Sequence, residues 1–358
     1  MADFYELDFF PVHTSKSGDA ISIRYQVGDN WWVHVIDGGY TSTADAFAKH
    51  IRSNYGTNRI NRMIVTHPDK DHAEGLAPLL ETFQVDQLWM LRPWQYIDEV
   101  MPHFARYTNP DNLRRTLKEA YPYIERLEQI AHRRGIPICE PFQGAAIGPF
   151  TVLAPSRSRY LQLVVESAKT PQQSQVSKLS FGLDVFLEAA RTFIKAGWGH
   201  EKFSDDPTSN ENEMSVVQYA RICDRKILLT GDAGRDGLEE AANYAPFVGL
   251  HLPGVDLFQV PHHGGRRNVS TELLNRLLGP TLPGLLPAGH ERFVAMISSA
   301  KEDTDHPRKA VVRGLLHRGA MVRTTEENAF CLTAGVTPQR PGWYPLGGNV
   351  PYPDENED

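Results

Sequence analysis

The chain has 358 residues, enough for one large α/β domain with insertions or for two ordinary domains. A formal net charge of −7 argues against coating a long nucleic-acid duplex, which relies on a basic surface, while leaving room for a nucleotide or short single strand held by metal and a few arginines. No apolar run is long enough to span a bilayer, and MADFYELDFFPVH lacks the basic-then-apolar order of a signal peptide, so a cytoplasmic, non-membrane protein is expected. Cys139, Cys223 and Cys331, scattered without CxxC spacing, fit reduced thiols that are not ligands.

Strand-like runs rich in aromatic and β-branched residues come first: Tyr5–Val12, Ala20–Val27 and Trp31–Ile36, separated by turn signals. Ser42 or Thr43 can cap a helix whose apolar face is Ala44, Phe47, Ala48 and Ile51. Met63–Thr66 is a short buried strand running into THPDKDH. A helix with Leu76, Leu79, Leu80 and Phe83 at helical spacing follows, then a strand at Val85–Leu91. Residues 94–135 are helical and charge-rich. Strands return at Ile136–Glu140 and Thr151–Ala154. Residues 155–210 begin helical, pass through TPQQSQVS, and turn amphipathic at Val185–Lys195. Both stretches read as insertions on a core fold, offering a lid or a protein-partner surface. A hairpin (Met214–Ile222, Lys226–Thr230), a helix Asp236–Tyr244, a strand Val255–Val260, a helix Thr271–Leu278 and a strand Phe293–Ser298 come next. A helix from about Pro307 and a final pair of strands, Met321–Thr325 and Ala329–Thr333, end the domain near residue 335. The Pro/Gly-rich, acidic tail 336–358 is expected to be extended or disordered. No internal repeat is visible.

The strongest chemical signal is THPDKDHAEGL, which places His67, Asp69, Asp71 and His72 directly after a buried strand. A loop at a strand end can turn all four inward, whereas a helix would spread them over different faces. Imidazole and carboxylate donors without a thiol suit Zn, Mn or Fe. A second strand ends in LLTGDAG, with Asp232 behind Gly231. A third, DLFQVPHHGG, leads to His262 and His263, adjacent residues that point in different directions, so one suits a ligand and the other a supporting or proton-donating role. Each segment alone could be an ordinary polar turn. Three strands ending in metal-capable side chains point to one centre, at the sheet edge where open α/β sheets bind ligands.

The order IDGG (Asp37, Gly38, Gly39), HxDxDH, TGD, then a strand with HHG, resembles the metallo-β-lactamase superfamily. More narrowly it is similar to the soluble hydrolase domain of the competence DNA-uptake protein ComEC and its stand-alone relatives, where Asp replaces the second His of the loop, as Asp69 does here. The resemblance covers about residues 5–335. It implies an α/β fold, the αββα sandwich, with two divalent metal ions, Zn or Mn, at one edge. His67, Asp69, Asp71, His72, Asp232 and His263 (or His262) match the metal positions, Asp232 bridging. No His precedes the GD strand, where the superfamily has its third motif. ENEMSVV stands there, making Asn212 a candidate ligand or substrate contact, or else a capping Asn. Asp19, in the lengthened turn HTSKSGD, reads as structural. ISSAKEDTDHP also matches the ComEC-type pattern, with His306 at a helix start.

The expected activity is phosphodiester hydrolysis, as a phosphodiesterase or nuclease acting on a nucleotide or short single-stranded nucleic acid. Asp71 and Asp232 would hold the ions and orient an activated water, and His306 or His262 would protonate the leaving oxygen. Arg266, just after the histidine pair, is a candidate contact for an anionic substrate. The same centre could serve ester, lactone or amide hydrolysis, or stabilise an interaction module of weak activity.

Overall fold

The computed structural model describes residues 2–104, 106–170, 193–338, 340 and 349–357. The segment TPQQSQVS beyond Thr170 and residues 185–192 of the amphipathic stretch lie outside the described residues.

Two seven-stranded sheets form the middle of the molecule. The first contains β1 (Ala2–Phe9), β2 (Ala20–Val27), β3 (Asn30–Gly38), β5 (Arg62–Ile64), β7 (Leu88–Trp89), β8 (Ile138–Cys139) and β17 (Phe330–Gly335), in the order β17-β1-β2-β3-β5-β7-β8. Its pairings are antiparallel from β17 to β3 and parallel from β3 to β8. The second contains β9 (Ala146–Ile147), β10 (Phe150–Ala154), β12 (Val217–Ile222), β13 (Arg225–Leu229), β14 (Leu257–Gln259), β15 (Phe293–Ile297) and β16 (Ala320–Thr324), in the order β16-β15-β14-β13-β12-β10-β9. It is parallel from β16 to β13 and antiparallel beyond. Small two-stranded pairings join β4 (Arg59–Ile60) to β6 (Gln84–Val85) and β11 (Phe193–Lys195) to β18 (Glu355–Glu357).

Alternation along the strands creates the layers. Ile21, Ile23 and Tyr25 of β2 project between the sheets, where they meet a cluster including Phe150, Ile227, Leu257 and Met296. Val33 and Val35 of β3 face outward, onto Phe47 of the helix Thr41–Tyr55, Leu79 of Leu76–Thr82, and Leu117 and Leu127 of the helices Pro110–Ala120 and Pro122–Arg134. Leu228, Phe258 and Ala295 face the opposite way, onto Leu238, Leu274 and Leu315 of Arg235–Tyr244, Thr271–Leu278 and Lys309–His317. The result is the αββα sandwich that the motif order implies.

Three features lie beyond what the sequence implies. The last two core strands go to different sheets: β16 closes one edge of the second sheet, and β17 crosses to pair with β1. Helices of the stretch 94–135 share the first sheet's outer core rather than standing off it. The described part of the tail is docked: Val322 N–H donates to Asn349 Oδ1 (2.7 Å), Arg313 donates to Pro353 O (2.6 Å), and Tyr352 stacks on Trp198 with ring centres 5.4 Å apart. No helix among the described residues is long and apolar enough to cross a membrane.

Candidate metal centre

The centre lies where the parallel halves of both sheets present their carboxyl ends. Asp37 ends β3, His67 follows β5, Asp232 follows β13 and His263 follows β14. Two glycines permit the convergence. Gly231 has φ +50°, and a Cβ there would lie 2.9 Å from the Thr66 side chain, so only glycine lets the Asp232 strand come this close to the His67 strand. Gly75 packs its backbone onto Gly38, where a Cβ would overlap Gly38 O, and this contact seats the His72 turn against β3.

His72 is the hub. It is fully buried, and four carboxylates surround its ring: Asp37 at 2.8 Å, Asp232 at 3.2 Å, Asp71 at 3.6 Å and Asp19 at 3.8 Å. Nδ1 bonds Asp37 Oδ2, so Nε2 is aimed into the cluster. Asp37 is fixed in turn by Thr66, whose N–H and hydroxyl donate to it at 2.9 and 2.6 Å. A ring nitrogen held by a carboxylate while the other faces inward is how metal-ligating histidines are oriented. Asp71, His72, Asp232 and His263 each offer a ligand atom within 4.8 Å of the others, and Asp19, Asp37 and His72 form a second such group. His67 Nε2 lies 3.7 Å from Asp232 Oδ2.

Electrostatics favours a cation here. Burial opposes charge on His72, yet Asp232, Asp71 and Asp37 push its pKa well above the ordinary histidine value. His263, equally buried, is raised to about 9, chiefly by Asp232 and Asp71. Burial would raise Asp71 and Asp232, but the histidines, His72 foremost, hold both well below the carboxylate range. Burial lifts Asp19 to about 6. Four carboxylates around one buried ring require positive charge to balance them. His67 Nε2, His72 Nε2 and Asp232 Oδ1 are buried without a hydrogen-bond partner, and His263 Nε2 lies 3.8 Å from Asp232 Oδ2. Nitrogen and oxygen ligand atoms gathered in this way fit a divalent metal ion.

Backbone strain gathers at the same place. His262 and His263 both adopt left-handed conformations (φ 49° and 54°), as does Asp37 (φ 57°). Such a conformation costs a non-glycine residue roughly 1–2 kcal/mol. Of the five non-glycine residues with positive φ among those described, three are at this centre, a clustering typical of functional sites.

The structure brings together His67, Asp71, His72, Asp232 and His263. His262 stands at the rim, half-buried, with Nδ1 2.6 Å from Asp232 Oδ2 and 3.2 Å from Asn212 Nδ2. His306 joins from below Asp303, its ring 5.1 Å from that of His262. Burial holds it down at about 4. Arg266 is half-buried in the turn after the histidine pair, with its carbonyl accepting from Ser204 N–H. Asp69 is the exception. The expected loop contains a helical turn, Lys70–Ala73, with Asp69 at its extended N-cap position. The turn keeps Asp71 and His72 at the centre, while Asp69 is not among the clustered ligand atoms and pairs with Lys169 Nζ at 2.5 Å. Two contributors carry no ligand signal of their own in the sequence: Asp37, within the IDGG motif, and Asp19, within the turn HTSKSGD.

No protein-family model and no curated protein sequence matches the chain. Among solved structures it is similar to the metallo-β-lactamase-fold protein YhfI from Bacillus subtilis, at 12% identity over 93% of this chain and 100% of that one, with a TM-score of 0.41. It is also similar to AbOPH, described as a hydrolase of the β-lactamase superfamily, at 8% identity over 60% of this chain and 56% of that one (TM-score 0.32). The metallo-β-lactamase SMB-1 matches at 10% identity over 69% of this chain and 77% of that one (TM-score 0.30). All three likenesses are distant.

Proposed function

We propose that the protein is a metal-dependent hydrolase of phosphodiesters, acting on a nucleotide or a short single-stranded nucleic acid. The observation that carries this reading is the buried His72 ring within 4 Å of four carboxylates, beside inward nitrogens and oxygens that lack partners. His67, Asp71, His72, Asp232 and His263 would hold two divalent ions, Zn or Mn, with Asp19 in reserve beside them. Bound there, such ions supply Lewis acidity to water and to a phosphoryl oxygen.

The chain's own groups do the rest. Asp37 and Thr66 fix the His72 ring, and Asp232 N–H, held by Ser215 Oγ at 3.1 Å, keeps that carboxylate turned inward. His306, with a pKa of about 4, is neutral at pH 7 and suits hydrogen bonding to substrate rather than acid catalysis. His262 is then the group placed to hand a proton to the leaving oxygen, its Nδ1 steadied by Asp232. The resemblance of the motif order to ComEC-type domains is what favours a phosphodiester over an ester, lactone or amide.

Elemental analysis should find divalent metal in the purified protein, and Asp232→Ala should lose it. The Mn- or Zn-loaded protein should cleave bis(p-nitrophenyl) phosphate, a cyclic nucleotide or single-stranded DNA. A metal-loaded protein that leaves all of these intact while hydrolysing a lactone or thioester would overturn the phosphodiester reading.

A further inference from the structure

We propose that Lys169 is the anion-binding residue of a cleft leading out of the metal centre, so that the preferred substrate carries a second anionic group, such as a terminal phosphate, next to the scissile bond. The proposal rests on the hydrolase reading above and adds a substrate class to it.

The cleft encloses about 270 Å³ and is lined by Pro68, Asp69, Lys70, Asp71, Tyr123 and Lys169, among others. Asp71 belongs both to this wall and to the cation cluster, so the cleft opens directly from the centre. Its volume is just below the usual range for drug-sized ligands, which suits one nucleotide-sized end rather than a polymer. The Tyr123 side chain gives that end an aromatic wall on which a base can stack.

Lys169 is exposed, yet its backbone is held rigidly. Its N–H donates to Ser167 Oγ at 3.0 Å, and the Ser167 carbonyl accepts from both the N–H (3.1 Å) and the hydroxyl (2.8 Å) of Thr170. The buried Ser167 hydroxyl donates in turn to Glu211, which also accepts from Tyr121 OH at 3.2 Å. Glu211 neighbours Asn212, the residue that touches His262. The turn bearing Lys169 is therefore anchored to the same segment that reaches the centre. Its ammonium meets the Asp69 carboxylate, an anion standing where a substrate phosphate would bind. A dianionic phosphate offers more charge and more acceptor oxygens than one carboxylate, and so can displace it. Lys70, the other cation of the cleft, already lies over the Tyr40 ring and beside Glu74.

The test is direct binding, which needs no turnover. The thymidine dinucleotides pTpT (with a 5′-phosphate) and TpT (without) are titrated into the full-length, metal-loaded protein by calorimetry, beside a hydrolysis assay of both. Wild type should bind pTpT about tenfold more tightly than TpT, the size of one charge-assisted contact. Lys169→Met should erase that preference while binding TpT as wild type does, and Lys169→Arg should retain it. Asp69→Asn, which removes the competing carboxylate, should tighten pTpT binding only when Lys169 is present. Equal binding of the two dinucleotides by wild type, no binding of either, or a preference that survives Lys169→Met overturns the proposal. Discrimination without hydrolysis would keep the cleft and sink the hydrolase reading. Hydrolysis indifferent to the 5′-phosphate would do the reverse.

Discussion

Asp37 illustrates how much a residue can contribute through the neighbours it holds. Its two oxygens take bonds from Thr66 and from His72 Nδ1, fixing both the end of β5 and the tautomer of the hub imidazole. Removing such a partner typically weakens metal affinity by about 10–100-fold. Asp37→Ala should therefore lower Mn or Zn affinity by that factor in competition with a chelating dye, while leaving the ligand set intact. Asp8, on the first sheet far from this chemistry in sequence, gives a pH signature. Burial would raise its carboxyl, but His50 at 3.5 Å and the two Arg340 bonds, at 2.7 and 3.0 Å, hold it at about 2 instead of the ordinary 3.8. Unfolded chains take up this proton near 3.8 and folded ones only near 2. The stabilisation, about 2 kcal/mol, is whole above pH 3.8 and drains away as pH falls towards 2. Acid-unfolding curves of Asp8→Asn should be flatter across that window than those of wild type. At this scale the sequence was legible where side-chain type and strand end coincided, as at His67, His72, Asp232 and His263. It was illegible where a carboxylate sat in a glycine turn. Asp19 and Asp37 carry no local mark separating a buried partner of histidine from a surface turn, because their partner lies more than thirty residues away.

Among elements, the turn after β5 explains why Asp69 stands apart from the cluster. The run His67, Asp69, Asp71, His72 looks equally suited to an inward loop, and only the helical turn Lys70–Ala73 reveals that successive side chains swing apart by about 100°. Helix or loop over four residues is decided by packing against β3, at Gly38 and Gly75, and not by local preference. The strands that carry ligands were readable because buried parallel strands are continuous apolar runs. The strand β17 was recognisable as a strand but not by its partner, since pairing with β1 is a contact across almost the whole chain. Close approach also yields a prediction. At Gly231 a side chain would meet Thr66 and force a left-handed residue into strain. Gly231→Ala should cost about 1–3 kcal/mol in denaturant unfolding and weaken metal binding as Asp232 is pushed off its position.

For the molecule as a whole, the centre is a fastener between the sheets. Asp37, His67 and His72 belong to the first sheet's loops, and Asp232 and His263 to the second's. A metal held by both halves, as proposed, would stabilise the folded state by mass action, about 2.7 kcal/mol at a hundredfold excess over Kd. Added Mn or Zn should raise the melting temperature by several degrees and a chelator should reverse it, while Asp232→Ala should respond to neither.

The pairing of Phe4 with Gly335 and of Phe9 with Phe330 has a consequence for biosynthesis. During synthesis β1 has to wait, with one hydrogen-bonding edge bare, until residues 330–335 have been made. Joining ends so distant along the chain is slow, because the search must be completed before any contact rewards it. Nascent chains stalled short of residue 330 should be cut readily by protease within residues 2–27, and extension well past residue 335 should abolish that sensitivity. This margin of the first sheet thus closes late, and the interval before it closes is when chaperones would have most to guard.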